Sequence, residues 1–261
     1  MVTNAVIIDI HAHPGYGKDL ATLREEFPPA VRAAERCGVR WICLNAIADW
    51  SESPRPKAVR EGNDAVLYLM AEYPDRVLGF CYVNPRYPAQ ALKEIDRCVV
   101  GEGMAGIKLW VACKASDRRV DAIARRAAQL GVPILQHAWY VRRGGLKGES
   151  VPADVAVMAK RHPKTMIVMA HLTGAGERGL KDIAPYPNLH VDISGGEPEA
   201  GMVELAVKLL GAERVLFGTD TPIRSYGATL GKVLEAKLTR KERELILFGN
   251  ARRLLRRRLG R

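Results

Sequence analysis

Eight short runs rich in Val, Ile, Leu and Ala punctuate the chain, with longer helix-like stretches between them. The runs are Val6–Ile10, Val39–Leu44, Val77–Val83, Gly106–Leu109, Pro133–Gln136, Met166–Ala170, Leu189–Ile193 and Arg214–Phe217. This alternation constrains the fold more than any other feature. Strands separated by helices pair in parallel, because a parallel pair needs a crossover. The near-continuous apolar character of the runs fits a sheet covered on both faces. Val120–Leu130 carries apolar residues at helical spacing and stops at Gly131, with Pro133 beyond. Pro152–Arg161 and Pro198–Leu210 each open at a proline, and the second closes at Gly211. Eight such units in 261 residues predict a closed (β/α)8 TIM barrel, which needs about 250 residues. An open doubly wound sheet is the alternative architecture. No Gly-x-Gly-x-x-Gly follows the first run, which disfavours a dinucleotide-binding version of it. No linker or low-complexity segment divides the chain, so 1–261 reads as a single domain with Lys241–Leu259 as a C-terminal helix.

In such a barrel the active site lies at the C-terminal ends of the strands. The first run continues into Ile10-His11-Ala12-His13-Pro14-Gly15. Strand residues two apart share a face, so His11 and His13 aim two imidazoles the same way. A lone His-x-His more often caps a strand than binds anything. Here, however, later strand ends add to it: Lys108 in the fourth run, His137 after the fifth, His171 after the sixth and Asp220 after the eighth. The two remaining histidines, His162 and His190, fall elsewhere and read as structural. Imidazoles and a carboxylate gathered at one mouth suit a divalent transition metal, Zn²⁺ first, with a coordination position open to water. Such a metal brings the pKa of its water toward about 7. Asp220 is then the candidate general base, and His171 the group that polarises a carbonyl or an oxyanion.

Composition narrows the partners. There is no apolar run of roughly 18 residues or more, hence no expected membrane helix. The first strand starts at once, leaving no room for a signal peptide. The five cysteines, Cys37, Cys43, Cys81, Cys98 and Cys113, have no metal-ligand spacing. Free thiols in a reducing cytoplasm are the simple expectation. The net charge of +11 is concentrated in Arg252–Arg261, which reads as a solvated basic helix end. Aromatic content is 6%, with no aromatic–basic stretch on which bases would stack, so no specific nucleic-acid partner is expected. A basic surface does attract small anionic substrates.

Together these stretches resemble the amidohydrolase superfamily, in its Amidohydro_2 branch. The matching segments are Ile8-Asp9-Ile10-His11-Ala12-His13, Gly106-Ile107-Lys108-Leu109, His137, Met169-Ala170-His171, Phe217-Gly218-Thr219-Asp220-Thr221-Pro222 and Phe248-Gly249-Asn250-Ala251-Arg252-Arg253-Leu254. The resemblance implies that His11, His13, His137 and Asp220 are metal ligands and that His171 is a ligand or a catalytic electrophile beside them. Lys108 becomes a ligand only if carbamylated, bridging a second ion; the neighbouring Trp110 speaks for one metal. It also implies a metal-dependent hydrolase of an amide, lactone or ester. The alternative is a non-oxidative decarboxylase of an aromatic or unsaturated acid. Residues following the strand ends, Trp110, Trp139, Tyr140, Arg142, Arg143, Arg224 and Tyr226, are the candidates that shape the substrate pocket. Arg224 is suited to clasp a substrate carboxylate bidentately. Barrels of this family often form dimers, so a homodimer is also in view.

Overall fold

The computed structural model describes residues 6–15, 20–47, 50–140, 145–196 and 199–259. Its eight strands are β1 (Ile7–Ala12), β2 (Val39–Leu44), β3 (Val77–Tyr82), β4 (Gly106–Leu109), β5 (Ile134–Gln136), β6 (Ile167–Met169), β7 (Leu189–Asp192) and β8 (Val215–Leu216). Each pairs in parallel with the next, in chain order. Helices α1 (Leu20–Arg36), α2 (Pro56–Glu72), α3 (Pro88–Ile95), α4 (Asp121–Leu130), α5 (Pro152–Arg161), α6 (Leu172–Ile183), α7 (Met202–Leu210) and α8 (Tyr226–Glu235) alternate with them. This is the (β/α)8 barrel that the alternation predicts.

The two-residue period of a strand divides the core into two layers. Ile7, Ile42, Ile107, Ile134, Ile167 and Val215 face outward and pack beneath the helices. Ile8, Ile10, Phe80, Leu135, Val168 and Leu216 face inward and fill the barrel. The layered filling leaves chemistry to the rim.

Element ends differ from the sequence reading where the tertiary fold decides them. β1 runs on to Ala12 and so contains His11. β8 is only two residues long, because Ala212–Arg214 forms a short helical turn. Arg214 leaves the strand to donate to the carbonyls of Leu189, Ala184 and Ile183. The helix expected from Pro198 begins at Met202, and Pro198 itself lies outside the described residues. The expected single terminal helix is segmented: α9 (Arg240–Glu244), a wider turn over Leu245–Gly249, α10 (Asn250–Leu254) and α11 (Arg256–Leu259). Asn250 fixes this tail, donating to the carbonyls of Ala212 and Val215 at 2.7 and 2.8 Å. Ala251, Leu254 and Leu255 then join the interior layer and stop the barrel at its N-terminal end.

The seam between β8 and β1 is held mainly beyond β8 itself. Ile10 N–H donates to Phe217 O at 3.0 Å, and Asp220 and His13 exchange with His11 and Thr221 across the same gap, each at 2.7 Å. Asp9 completes the seam: its carboxylate receives the Thr219 N–H and shares a 2.6 Å bond with the Thr219 hydroxyl. No helix among the described residues is long and apolar enough to cross a membrane. All five cysteines are free. His162 pairs with Asp121 at 2.8 Å, and His190 lies inside the barrel wall against the Ile167 carbonyl. Both stand apart from the strand-end histidines.

Candidate active site

The strand ends bring the expected residues together. His11 comes from β1 and His13 from just beyond its end, Lys108 from β4, His137 from the end of β5, His171 from the end of β6 and Asp220 from the turn after β8. Of these, Lys108, His11, His13, His171 and Asp220 are buried and His137 is nearly so. His171 and Asp220 adopt left-handed φ values of 74° and 65°. Such backbone strain in non-glycine residues is held in place only where the surroundings over-determine it. The main-chain N–H of His171 is bonded to Asp192, and that of Asp220 to the His11 carbonyl.

Hydrogen bonds fix which nitrogen of each imidazole carries its hydrogen. His13 Nδ1 lies 2.8 Å from the Asn45 carbonyl, which can only accept. His11 Nδ1 donates to Asp192 Oδ2 at 2.9 Å. Ser194 gives its hydroxyl hydrogen to Asp192 Oδ1, so its oxygen is free to accept from His171 Nδ1 at 3.0 Å. His137 is turned the other way, and its Nε2 donates to Glu149 Oε1 at 2.7 Å. Every outer nitrogen is therefore a donor, and every inner nitrogen presents a lone pair.

Those lone pairs converge. His13 Nε2 stands 3.1 Å and His11 Nε2 3.4 Å from Asp220 Oδ1. His137 Nδ1 and His171 Nε2 face each other at 3.0 Å. At each place acceptor meets acceptor, which is repulsive unless positive charge lies between. A ring proton or a bound cation can supply it. Burial opposes the ring proton, holding His11, His137 and His171 below the usual imidazole range. Burial likewise lowers Lys108 to about 8, against the pull of Asp220 and Asp192. Its Nζ lies 2.9 Å from His11 Nε2. Burial works against ionisation of Asp220 too, and positive charge on the facing His11 and His13 rings is what would hold its carboxyl below the usual carboxylate range. Ligand atoms of His11, His13 and Asp220 all lie within 4.8 Å of one another, as do those of His11, His171 and Asp192. This set of imidazole nitrogens and carboxylate oxygens fits a divalent transition metal.

The supporting residues Asp192, Ser194, Asn45 and Glu149 escaped the sequence reading. Asp192 closes β7 at the position where the other strands place their site residues, a signal that was open to use. Glu149 sits in an irregular loop with no spacing to mark it.

The expected pocket residues divide. Trp110 packs on Tyr82 and Val59 and meets Trp50 edge to face at 6.1 Å. Trp50 in turn lies 5.3 Å from the His13 ring. These rings give the site an aromatic wall. Trp139 lies 5.2 Å from His171, over a glycine cradle; a Cβ on Gly174 would come within 2.5 Å of its ring. Tyr140 is drawn away to α6, where its hydroxyl bonds Asp182 and Arg178 covers its ring. Arg224 is exposed, and its guanidinium rests on the Ile223 carbonyl. Tyr226 is not a pocket residue: it is 4% exposed and packed in the outer core at the start of α8. Arg142 and Arg143 lie outside the described residues.

The amidohydrolase family model matches residues 8–257, nearly the whole chain. The protein belongs to the amidohydrolase family. Among curated relatives of this amidohydrolase is the gamma-resorcylate decarboxylase of Polaromonas sp. (strain JS666 / ATCC BAA-500), 21% identical over 86% of this chain and 85% of the relative. Solved structures of similar shape include 2,6-dihydroxybenzoate decarboxylase from Rhizobium, with a TM-score of 0.77, 19% identity and coverage of 97% and 98% of the two chains. A dihydroxybenzoic acid decarboxylase from Polaromonas sp. JS666, with bound manganese and the inhibitor 2-nitroresorcinol, gives a TM-score of 0.78 at 18% identity over 98% of each chain.

Proposed function

We propose that this amidohydrolase is a divalent-metal-dependent decarboxylase of a small aromatic carboxylic acid. The observation that carries the metal is the convergence of imidazole lone pairs on the Asp220 carboxylate. His11, His13 and Asp220 would hold the ion, with His137 and His171 turned toward the same space. Bound there, a divalent cation supplies Lewis acidity that holds the substrate's oxygens and disperses their charge. Manganese, present in the Polaromonas structure, suits these nitrogen and oxygen donors as zinc does.

The decarboxylase reading takes precedence over the hydrolase reading because the similar proteins are named as decarboxylases of aromatic acids. The Trp50–Trp110 wall beside His13 suits a planar ring. In the reaction the bond from the ring carbon to the carboxylate breaks. Its electron pair stays on the ring carbon, CO2 leaves, and a proton takes its place. His171, whose Nδ1 is held by Ser194, and Asp220 stand together at the strand ends and are the candidates to pass that proton, Asp220 as the carboxylate that takes it up and releases it to the ring carbon.

The test supplies Mn²⁺ to the purified protein, offers a panel of hydroxylated benzoates including 2,6-dihydroxybenzoate, and measures CO2. Release of CO2 that is lost in the His11→Ala, His13→Ala double variant, together with its bound metal, is the expected result. Cleavage of lactones or amides with no CO2 from any benzoate would return the protein to the hydrolase reading. Stoichiometric metal in a folded double variant would overturn the ligand assignment.

A further inference from the structure

We infer that Glu149 is a positioning residue that locks His137 in the tautomer whose lone pair faces the active site. The inference rests on the proposed metal site. Glu149 lies in the stretch 145–151 ahead of α5, and four contacts fix that stretch. At Gly148 a Cβ would fall 1.8 Å from the Val111 carbonyl oxygen, so only glycine lets the loop lie this close to the segment after β4. Ser150 receives the Ala115 N–H at 2.9 Å, and its carbonyl receives the Trp139 N–H at the same distance. Leu146 N–H donates to Glu149 Oε2 at 3.2 Å. The carboxylate therefore arrives at His137 already oriented, with its other oxygen 2.7 Å from Nε2.

The pair is largely withdrawn from water, the His137 and Glu149 side chains being 11% and 13% exposed. A bare imidazole exchanges its hydrogen between two nitrogens at little cost. Here the carboxylate oxygen can only accept, so the hydrogen stays on Nε2 and Nδ1 is left free toward His171 Nε2. A ring hydrogen on Nδ1 would instead occupy the 3.0 Å gap between the two imidazoles and exclude any cation from both.

The isosteric variant Glu149→Gln separates this role from simple packing. Leu146 N–H still requires an oxygen, so the amide NH2 group must turn toward His137 Nε2. A donor in that place drives the ring hydrogen to Nδ1. Ring-¹⁵N NMR of the metal-free protein should show His137 protonated at Nε2, and at Nδ1 in Glu149→Gln with an unchanged thermal midpoint. Mn²⁺ affinity, followed by the spin signal of the free ion, should fall roughly 10–100-fold. His137 protonated at Nδ1 in the unmutated protein overturns the inference without any variant. So does a Glu149→Gln protein whose His137 tautomer is unaltered. If the wild type binds no Mn²⁺ while the tautomers are as stated, the metal reading fails and the Glu149 lock stands.

Discussion

Asp192 receives hydrogen bonds from the His171 and Ser194 main-chain N–H groups and the Ser194 hydroxyl through Oδ1, and from His11 Nδ1 through Oδ2. Burial alone would favour its neutral form. The His11 and His171 imidazoles and the Ser194 hydroxyl nonetheless hold the carboxyl below the usual range. Asp192→Asn should leave the fold intact and spoil the site. The two main-chain donors demand an oxygen at Oδ1, so the amide nitrogen takes the other place and donates toward His11. His11 must then carry its hydrogen on Nε2, facing Lys108 and Asp220. We expect Mn²⁺ affinity measured by isothermal titration to drop roughly 10–100-fold at a nearly constant melting temperature; unchanged affinity would reject the assigned tautomers. The contrast with His11 and His13 explains what the sequence made legible. Histidine is scarce in this chain, with six in all, so four at strand ends stand out. The chain has 29 acidic residues, and a carboxylate that merely orients a ring carries no mark of its role. Tyr226 misled for the opposite reason: it follows a strand end in sequence, but α8 turns it into the core.

The strand–helix alternation was legible because the strands, buried on both faces, read as near-continuous apolar runs, while the helices bury one face at a period of 3.6. The seam between β1 and β8 was not, because short polar bonds carry it. β8 contributes only Val215 and Leu216, and the remaining closure falls to main-chain bonds and to the Asp9–Thr219 pair. Asp9 is wholly buried, and burial raises its pKa to about 7 in spite of the bonds from Thr219 and His11. Removing the hydroxyl in Thr219→Val leaves a buried Asp9 oxygen without that partner, and also strips an acceptor from the Thr221 N–H. Such unmade bonds cost about 1–3 kcal/mol. In urea the midpoint should therefore fall with no change in the slope of the transition. A midpoint equal to that of the wild type would show that the main-chain bonds close the barrel unaided. The segmented C-terminal tail follows the same rule. Asn250 sets its path through two carbonyls of the β7–β8 region, a polar anchor that apolar periodicity does not record.

Charge shapes the molecule as a whole. The basic tail, expected to be a solvated helix end, is partly engaged: Arg258 and Arg253 donate to the carbonyls of Val99 and Glu213. These contacts bind the tail to the N-terminal end of the barrel, the end His190 faces from inside the wall. Burial lowers the pKa of His190 from 6.5 to about 4, with Arg253 and Arg214 acting in the same direction. The folded protein thus refuses a proton that the unfolded chain accepts. His190 costs nothing above pH 6.5, and stability is lost as pH falls from 6.5 through 4. The loss approaches about 1.4 kcal/mol per pH unit, or about 3 kcal/mol across the window. His11, His137 and His171, also held low by burial, add losses of the same sign in the metal-free protein. Replacing His190 by Gln keeps a donor for the Ile167 carbonyl and removes one of these protons. Urea unfolding of metal-free protein between pH 7 and pH 4.5 should show a stability curve for His190→Gln that falls less steeply, by about one proton's worth. Parallel curves for the two proteins would mean that His190 is protonated inside the barrel and that another group controls the acid limb.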